Sequence, residues 1–264
     1  MTFAGASAVF GGPGRWKADI PEGWDIFGVT NGGFLMGVAT KAMEAEASGR
    51  ELISATGSFL NPASDGAVVI DVEVLKNGRS LSTLRATLSR EGRDLLFVTG
   101  VFADPHRPKP EHDLVKAGPP SLPSPEECPR AVPSEAGPLP PPFTGKVEVR
   151  IHPDDAGLFT DEPGSNAVMR GWFRLLGNEE MDARAVVLAT DAMPPAIFNS
   201  SYPAGWTPTV ELTVQVRNPK PRGWLACVFT TRFVTDGILE EDGEIWDESG
   251  RLVALSRQLA LVPR

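Results

Sequence analysis

The sequence predicts an α+β protein made of two copies of one unit, each a long antiparallel sheet wrapped around a buried helix. Three observations carry this prediction. A proline-rich seam divides the 264 residues into two parts of similar size. Strand-end and turn signals recur on both sides of the seam at a nearly constant offset. Each part also contains one helical segment with almost no polar face, the pattern of a helix enclosed by other elements.

The first unit is expected over 1–104. A helix is predicted over 31–47, with Asn31 as its N-cap and Gly49 ending it in a left-handed conformation. Phe34, Leu35, Met36, Val38, Ala39, Ala42 and Met43 cover most of its circumference. Strands follow near 51–60, 67–76, 80–90 and 94–103, with Asn77-Gly78 and Glu91-Gly92 as hairpin turns. Thirteen of the 25 prolines fall between Pro105 and Pro142. Proline removes backbone donors and disfavours helix in the preceding residue, so 105–143 is read as a linker. It is either an extended strap across a folded surface or a disordered tether.

The second unit is expected over 144–264, with strands near 146–151 and 168–175 and a helix near 180–192. Further strands are predicted near 207–217, 224–235, 241–247 and 251–262. Val210, Leu212, Val214 and Val216 alternate with Thr209, Glu211, Thr213 and Gln215, which places the first set on one face and the second on the other. Asn61-Pro62 and Asn218-Pro219 each close a strand, 157 positions apart, and Gly92-Arg93 and Gly250-Arg251 each mark a hairpin turn, 158 positions apart. These offsets indicate an internal duplication. A long antiparallel sheet around one buried helix is the hotdog arrangement, and two side by side make a double hotdog.

Composition narrows the function. A net charge of −9 argues against a nucleic-acid partner or an anionic membrane surface. No apolar run is long enough to span a bilayer, and the residues ahead of Arg15 carry none of the basic side chains that open a signal peptide, so a cytoplasmic location is expected. Cys128 and Cys227 are too few for a disulfide framework or a thiolate zinc site, and both are expected to be inert. His106, His112 and His152 sit at no ligand spacing, so neither a metal nor a histidine-centred triad is expected, nor any cofactor.

Four places could do chemistry. Asp191 follows the apolar run from Ala185 to Thr190 and precedes Pro194-Pro195. A carboxylate at a helix C-terminus opposes the macrodipole, and burial adds to the penalty unless something compensates. It is either a general base with a raised pKa or a solvated carboxylate at a frayed helix end. Gln258 shares a strand face with Leu252, Ala254, Ser256 and Ala260, where it holds either a ligand or a core backbone group. Thr209 opens its strand, a position that strand propensity also explains. Asn31-Gly32-Gly33 starts a helix, where open N–H groups suit a developing oxyanion and a tight turn suits the same glycines. At the repeat offsets, Leu52 stands for Thr209 and Gly100 for Gln258, which implies one site per chain.

Together these residues resemble the acyl-CoA thioesterase II family of double-hotdog enzymes, over nearly the whole chain outside the linker. The stretches that carry the likeness are Asn31-Gly32-Gly33-Phe34-Leu35, Val74-Leu75-Lys76-Asn77-Gly78-Arg79-Ser80 and Gly250-Arg251-Leu252-Val253-Ala254 through Gln258. The resemblance implies hydrolysis of acyl-CoA to free acid and CoA, with Asp191, Thr209 and Gln258 holding the attacking water. Backbone N–H groups at Asn31, Gly32, Gly33 or Phe34 would receive the thioester carbonyl. It also implies self-association into a dimer or higher oligomer. The chain departs from the family in its Ala192-Met193-Pro194-Pro195 after the Asp, and in Glu211-Leu212 where an Asp-His pair is common. An enoyl-CoA hydratase and a non-catalytic acyl-CoA or lipid-binding module are the competing functions.

Overall fold

The computed structural model describes residues 1–108, 111–133, 139–159 and 164–263. Its first part opens with α1 (Phe3–Ala6), β1 (Phe10–Gly12), β2 (Arg15–Ile20) and a small hairpin of β3 (Asp25–Ile26) and β4 (Val29–Thr30). Next come α2 (Gly32–Glu46), β5 (Glu51–Phe59), β6 (Gly66–Asn77), β7 (Leu81–Arg90) and β8 (Arg93–Ala103). Beyond the seam lie β9 (Val147–Ile151), β10 (Val168–Leu175), α3 (Ala183–Ala189), β11 (Thr209–Val216), β12 (Leu225–Thr230), β13 (Val234–Thr235), β14 (Ile238–Asp247) and β15 (Leu252–Leu261). Most predicted strands agree to within a residue or two, because their alternation and their turns are local signals.

Among the described residues, all strands but β3 and β4 join one antiparallel sheet, in the order β1-β2-β6-β7-β8-β5-β11-β15-β14-β12-β10-β9, with β13 on β14. The order on one side of the β5–β11 seam mirrors the order on the other. Register makes the relation exact at the seam: Thr213 pairs with Thr56, 157 residues apart, and their hydroxyls lie 3.0 Å from each other. The β5–β8 pairing sets Ala55 opposite Gly100, and the β11–β15 pairing sets Leu212 opposite Gln258, which are the same places in the two units. A bulge recurs as well, between Leu52 and Ser54 in one unit and between Thr209 and Glu211 in the other.

The inner face of the sheet and both helices form one continuous core. α2 is buried from Gly33 to Ala39 without a break, so its enclosure comes from sequence apolar on every side. Asn31 caps it by accepting the Phe34 N–H at 2.8 Å, and Gly49 past its end has φ 77°, as expected. α3 is shorter than predicted. Asp182 caps it by accepting the N–H groups of Arg184 and Ala185, so 180–182 are not helical. Its end comes at Ala189, and Asp191 lies in the turn that follows.

One part was not foreseen, and one of the two forms expected of the seam is seen. The first thirty residues gave no periodic signal, yet Phe3, Ala6, Ile20 and Trp24 are buried, and the Trp24 ring stacks on Phe34 with centroids 4.2 Å apart. Glu179 from the second unit accepts the N–H groups of Phe3 and Ala4, at 2.7 and 2.8 Å, and so ties α1 down. In the seam, residues 109–110 and 134–138 lie outside the described residues. The part from 123 to 131 is held as a strap. Pro123 O accepts the Trp172 indole N–H, the Ala131 N–H reaches Val149 O, and Ile151 N–H reaches Pro129 O. Cys128, within the strap, and Cys227, in the core, are both buried, and burial pushes both thiols up.

Candidate active site

Where the start of α2 meets the end of α3, the first unit provides the donors and the second the acceptor. Oδ2 of Asp191 accepts the Gly33 N–H at 2.8 Å and the Asn31 amide at 3.1 Å. The Asn31 amide also donates to the Asp191 carbonyl oxygen at 2.8 Å. This is the compensation that a half-buried carboxylate after a helix requires: Asp191 faces the positive end of α2 rather than only the negative end of α3. Loss of hydration nevertheless dominates and pushes its pKa up to about 6, against the opposing pull of the Gly33 and Gly32 N–H groups and the Asn31 amide. The helices approach this closely because Gly33 lacks a side chain. A Cβ there would lie 2.8 Å from Asp191 Cβ and 3.2 Å from Leu188 Cα.

Thr209 and Gln258 form a second pair. Gln258 Nε2 donates to Thr209 Oγ1 at 2.5 Å. Strict alternation would have put Thr209 on the outer, polar face of β11. The bulge at Val210 corrects that reading: it leaves Val210 exposed and returns Thr209 to the inner face, opposite the buried Ala260.

Asp191, Thr209, Gln258, Asn31 and Gly32 all line one cavity of about 620 Å³. That volume suits a small-molecule site. Its walls are mainly apolar, with Phe27, Phe59, Met193, Phe198, Trp206 and Phe229 among them, and the end of the proline-rich seam contributes Leu139, Pro140, Pro141 and Phe143. Phe27 of the first unit and Trp206 of the second meet edge to face, with centroids 6.2 Å apart.

The expectation for the helix start is corrected in part. Gly33 and Phe34 do not line the cavity, and neither of their N–H groups is open to a carbonyl. The first is bonded to Asp191 and the second to Asn31 Oδ1. The glycines serve close packing and the anchoring of Asp191.

Sequence reasoning missed Glu241. It lies buried on the inner face of β14, beside Gln258 in register, and lines the same cavity. The predicted strand began at 241, which hid the inward alternation of Leu239, Glu241, Gly243 and Ile245 that the strand from Ile238 displays. Burial first, and then the charges of Asp191 and Glu240, push its pKa up to about 7, while the Ala196 N–H it accepts pulls the other way. The first unit has Leu84 at this place, opposite Gly100.

A double hotdog with a half-buried carboxylate at a helix junction, on the wall of a largely apolar cavity, defines a hotdog-fold protein with a candidate small-molecule site. The comparisons narrow this further. Residues 20–103 match the family model of the acyl-CoA thioesterase N-terminal domain, and residues 125–262 match that of the C-terminal domain. The chain therefore belongs to the acyl-CoA thioesterase family, whose general activity is thioester hydrolysis. It is similar to a protein of Thermobifida fusca assigned as a thioesterase II, with 34% identity, coverage of 100% of this chain and 98% of that one, and a TM-score of 0.85. A hotdog protein of unknown function from Alicyclobacillus acidocaldarius shares the fold at 21% identity and a TM-score of 0.83, covering 99% of this chain and 98% of that one. An uncharacterised protein of Mycobacterium tuberculosis is 26% identical over 94% of this chain and 91% of its own length. No helix among the described residues is long and apolar enough to cross a membrane.

Proposed function

We propose that this protein hydrolyses acyl-CoA thioesters to the free acid and CoA, with water activated by Asp191. The observation that carries the reading is the Asp191 carboxylate, anchored by Gly33 and Asn31 and raised to about 6, on the wall of an apolar cavity that also holds the Thr209–Gln258 pair. A carboxylate of that basicity is ionised yet still a useful proton acceptor at neutral pH. Asp191 orients a water and takes its proton, while Thr209 and Gln258 fix the water's position. The acyl group occupies the apolar part of the cavity. Among the described lining residues the only ionisable side chains are the acids Asp191 and Glu241, with no cation beside them, so a neutral acyl chain is accepted more readily than one ending in a carboxylate.

Thiol release measured over a panel of short, medium, long and dicarboxylic acyl-CoAs tests this. Release from neutral acyl chains, with little from the dicarboxylic ones, is the expected pattern. A folded protein that binds acyl-CoA and returns it unchanged would instead make this a binding module, and a hydrated acyl-CoA product would make it a hydratase.

A further inference from the structure

At the start of α2 the donors expected for the thioester carbonyl are turned towards Asp191 and Asn31, and even the Gly32 N–H, which lines the cavity, acts on the Asp191 carboxylate. Gly33 N–H and the Asn31 amide are bonded to Asp191, and Phe34 N–H is bonded to Asn31. Attack by water places negative charge on the carbonyl oxygen, and a donor held ready for that charge is commonly the largest single contribution to catalysis. Glu241 is a further polar side chain on the wall of the same cavity. It lies opposite Gln258 in the β14–β15 register, and its Oε2 accepts the Ala196 N–H at 2.5 Å. Its Oε1 makes no hydrogen bond among the described residues, which leaves that oxygen as the place for a proton. The repeat adds an independent argument. Thr209, Glu241 and Gln258 occupy the places held in the first unit by Leu52, Leu84 and Gly100, where the Met43 and Phe102 side chains fill the space beside Gly100. Packing of the sheet on its helix is thus satisfied without a glutamate at this position.

We propose that Glu241, in its neutral form, donates a hydrogen bond from its carboxyl O–H to the thioester carbonyl oxygen as charge develops there. The inference rests on the thioesterase reading. Asp191 takes a proton from water as the water oxygen bonds to the carbonyl carbon, and the π electrons move onto the oxygen held by Glu241. Collapse restores the carbonyl and breaks the C–S bond. The electron pair leaves on sulfur, which takes up the proton from Asp191, and the acid product ionises to solvent. Glu241 keeps its proton throughout. The ionisable groups acting on it are Asp191, from the turn after α3, and Glu240, next along β14 and paired with Arg232 at 3.5 Å. Gln258 on β15, Ala196 and the nearby Phe229 on β12 carry no charge.

The neutral requirement separates this role from simple anchoring. Activity needs Asp191 ionised and Glu241 protonated, so kcat/KM rises through about pH 6 and falls above about pH 7, the two limits belonging to the coupled pair. The experiment is the pH profile of kcat/KM for wild type, E241Q and E241A on the acyl-CoA released fastest, with thermal unfolding of each. Glutamine still accepts from Ala196 through its oxygen and donates through its nitrogen without titrating. E241Q is expected to run about tenfold slower near pH 6.5 and to lose the alkaline fall, and E241A to run at least about a hundredfold slower while folded. An alkaline fall unchanged in E241Q, or E241A at the wild-type rate, overturns the donor role alone. Infrared difference spectra between acid and alkaline pH give a readout independent of turnover. A protonated-carboxyl band titrating near pH 7, present in wild type and absent in E241Q, is expected, and its absence overturns the proposal. Wild type that releases no thiol from any thioester overturns the thioesterase reading and the donor role with it.

Discussion

Asp191→Asn is expected to give a protein that resists unfolding better than wild type at neutral pH and turns over almost no thioester. Both effects come from the same carboxylate. In the folded chain burial raises its pKa from 3.8 to about 6, so the native state holds a proton that the unfolded state has released anywhere between those values. Stability is therefore greatest below pH 3.8, as far as this group is concerned, and declines as pH rises through about 6. At pH 7 the ionised, desolvated carboxylate costs the fold up to about 3 kcal/mol. Asparagine keeps an oxygen for the Gly33 N–H and the Asn31 amide but carries no charge to desolvate. Denaturant unfolding at pH 7 is expected to favour the variant by a sizeable part of that amount, with the difference closing towards pH 4. Turnover, by contrast, loses its base, a change worth roughly 10²–10⁴ in rate. Near-normal thiol release from the variant would remove Asp191 from the mechanism. A variant less stable at pH 7 would mean that the charge-assisted bonds to Gly33 and Asn31 outweigh desolvation.

The opposing signs of these effects reflect how the site is built. A group that stabilised the fold as fully as possible would have been neutral or exposed, whereas a useful base has to be ionised and poorly hydrated. The α2 N-terminus resolves part of this conflict by turning its first N–H groups towards the carboxylate. Those same groups are then unavailable to the substrate, and the geometry of the cavity moves attention to the strand floor, where Gln258 and Glu241 stand side by side.

What the sequence disclosed depended on how local each signal was. The wholly apolar α2, the strands with strict alternation and the Glu91-Gly92 turn, where both residues take positive φ, are fixed by neighbours within a few positions. The duplication was legible because its offsets survive in turns, and the register reproduces them at Thr56 and Thr213. Asp191 was conspicuous from its apolar approach, but its partners at Asn31 and Gly33 are 160 and 158 residues away and have no local trace. The orientation of Thr209 was misread because a bulge shifts parity by one residue, and the sequence around Val210 carries no glycine to announce it. Glu241 was missed because a strand boundary placed three residues late turns an inward glutamate into a strand end. The N-terminal segment escaped because Phe3 and Trp24 are isolated aromatics whose burial depends on α2 and the second unit.

Gly33→Ala is expected to be the most damaging single-methyl substitution in the helix pair, and Gly37→Ala the harmless control. Both glycines lie one turn apart on α2 and face α3, and alanine is favoured over glycine in a helix interior by about 0.5–1 kcal/mol, in full at Gly37 and less at Gly33 in the first turn. Packing separates them. A Cβ at Gly37 would meet Arg184 at 3.5 Å, ordinary contact, so the propensity gain remains and Gly37→Ala is expected to be neutral or slightly stabilising. At Gly33 it would meet Asp191 Cβ at 2.8 Å, with Leu188 Cα and Val187 O both at 3.2 Å. Two of these are backbone atoms of α3, which no rotamer change can move aside. The helices must separate by a few tenths of an ångström or more, at a cost of about 1–3 kcal/mol. That separation also lengthens the hydrogen bond from the Gly33 N–H to Asp191, now 2.8 Å, and displaces the carboxylate from its place at the cavity wall. Turnover in Gly33→Ala is therefore expected to fall at temperatures where the variant remains fully folded, while Gly37→Ala keeps both stability and rate. Paired thermal unfolding and thiol-release assays on the two variants check this. Equal behaviour of the two would mean that the α2–α3 contact tolerates a methyl anywhere along it, and that the close approach at Gly33 does not set the position of Asp191.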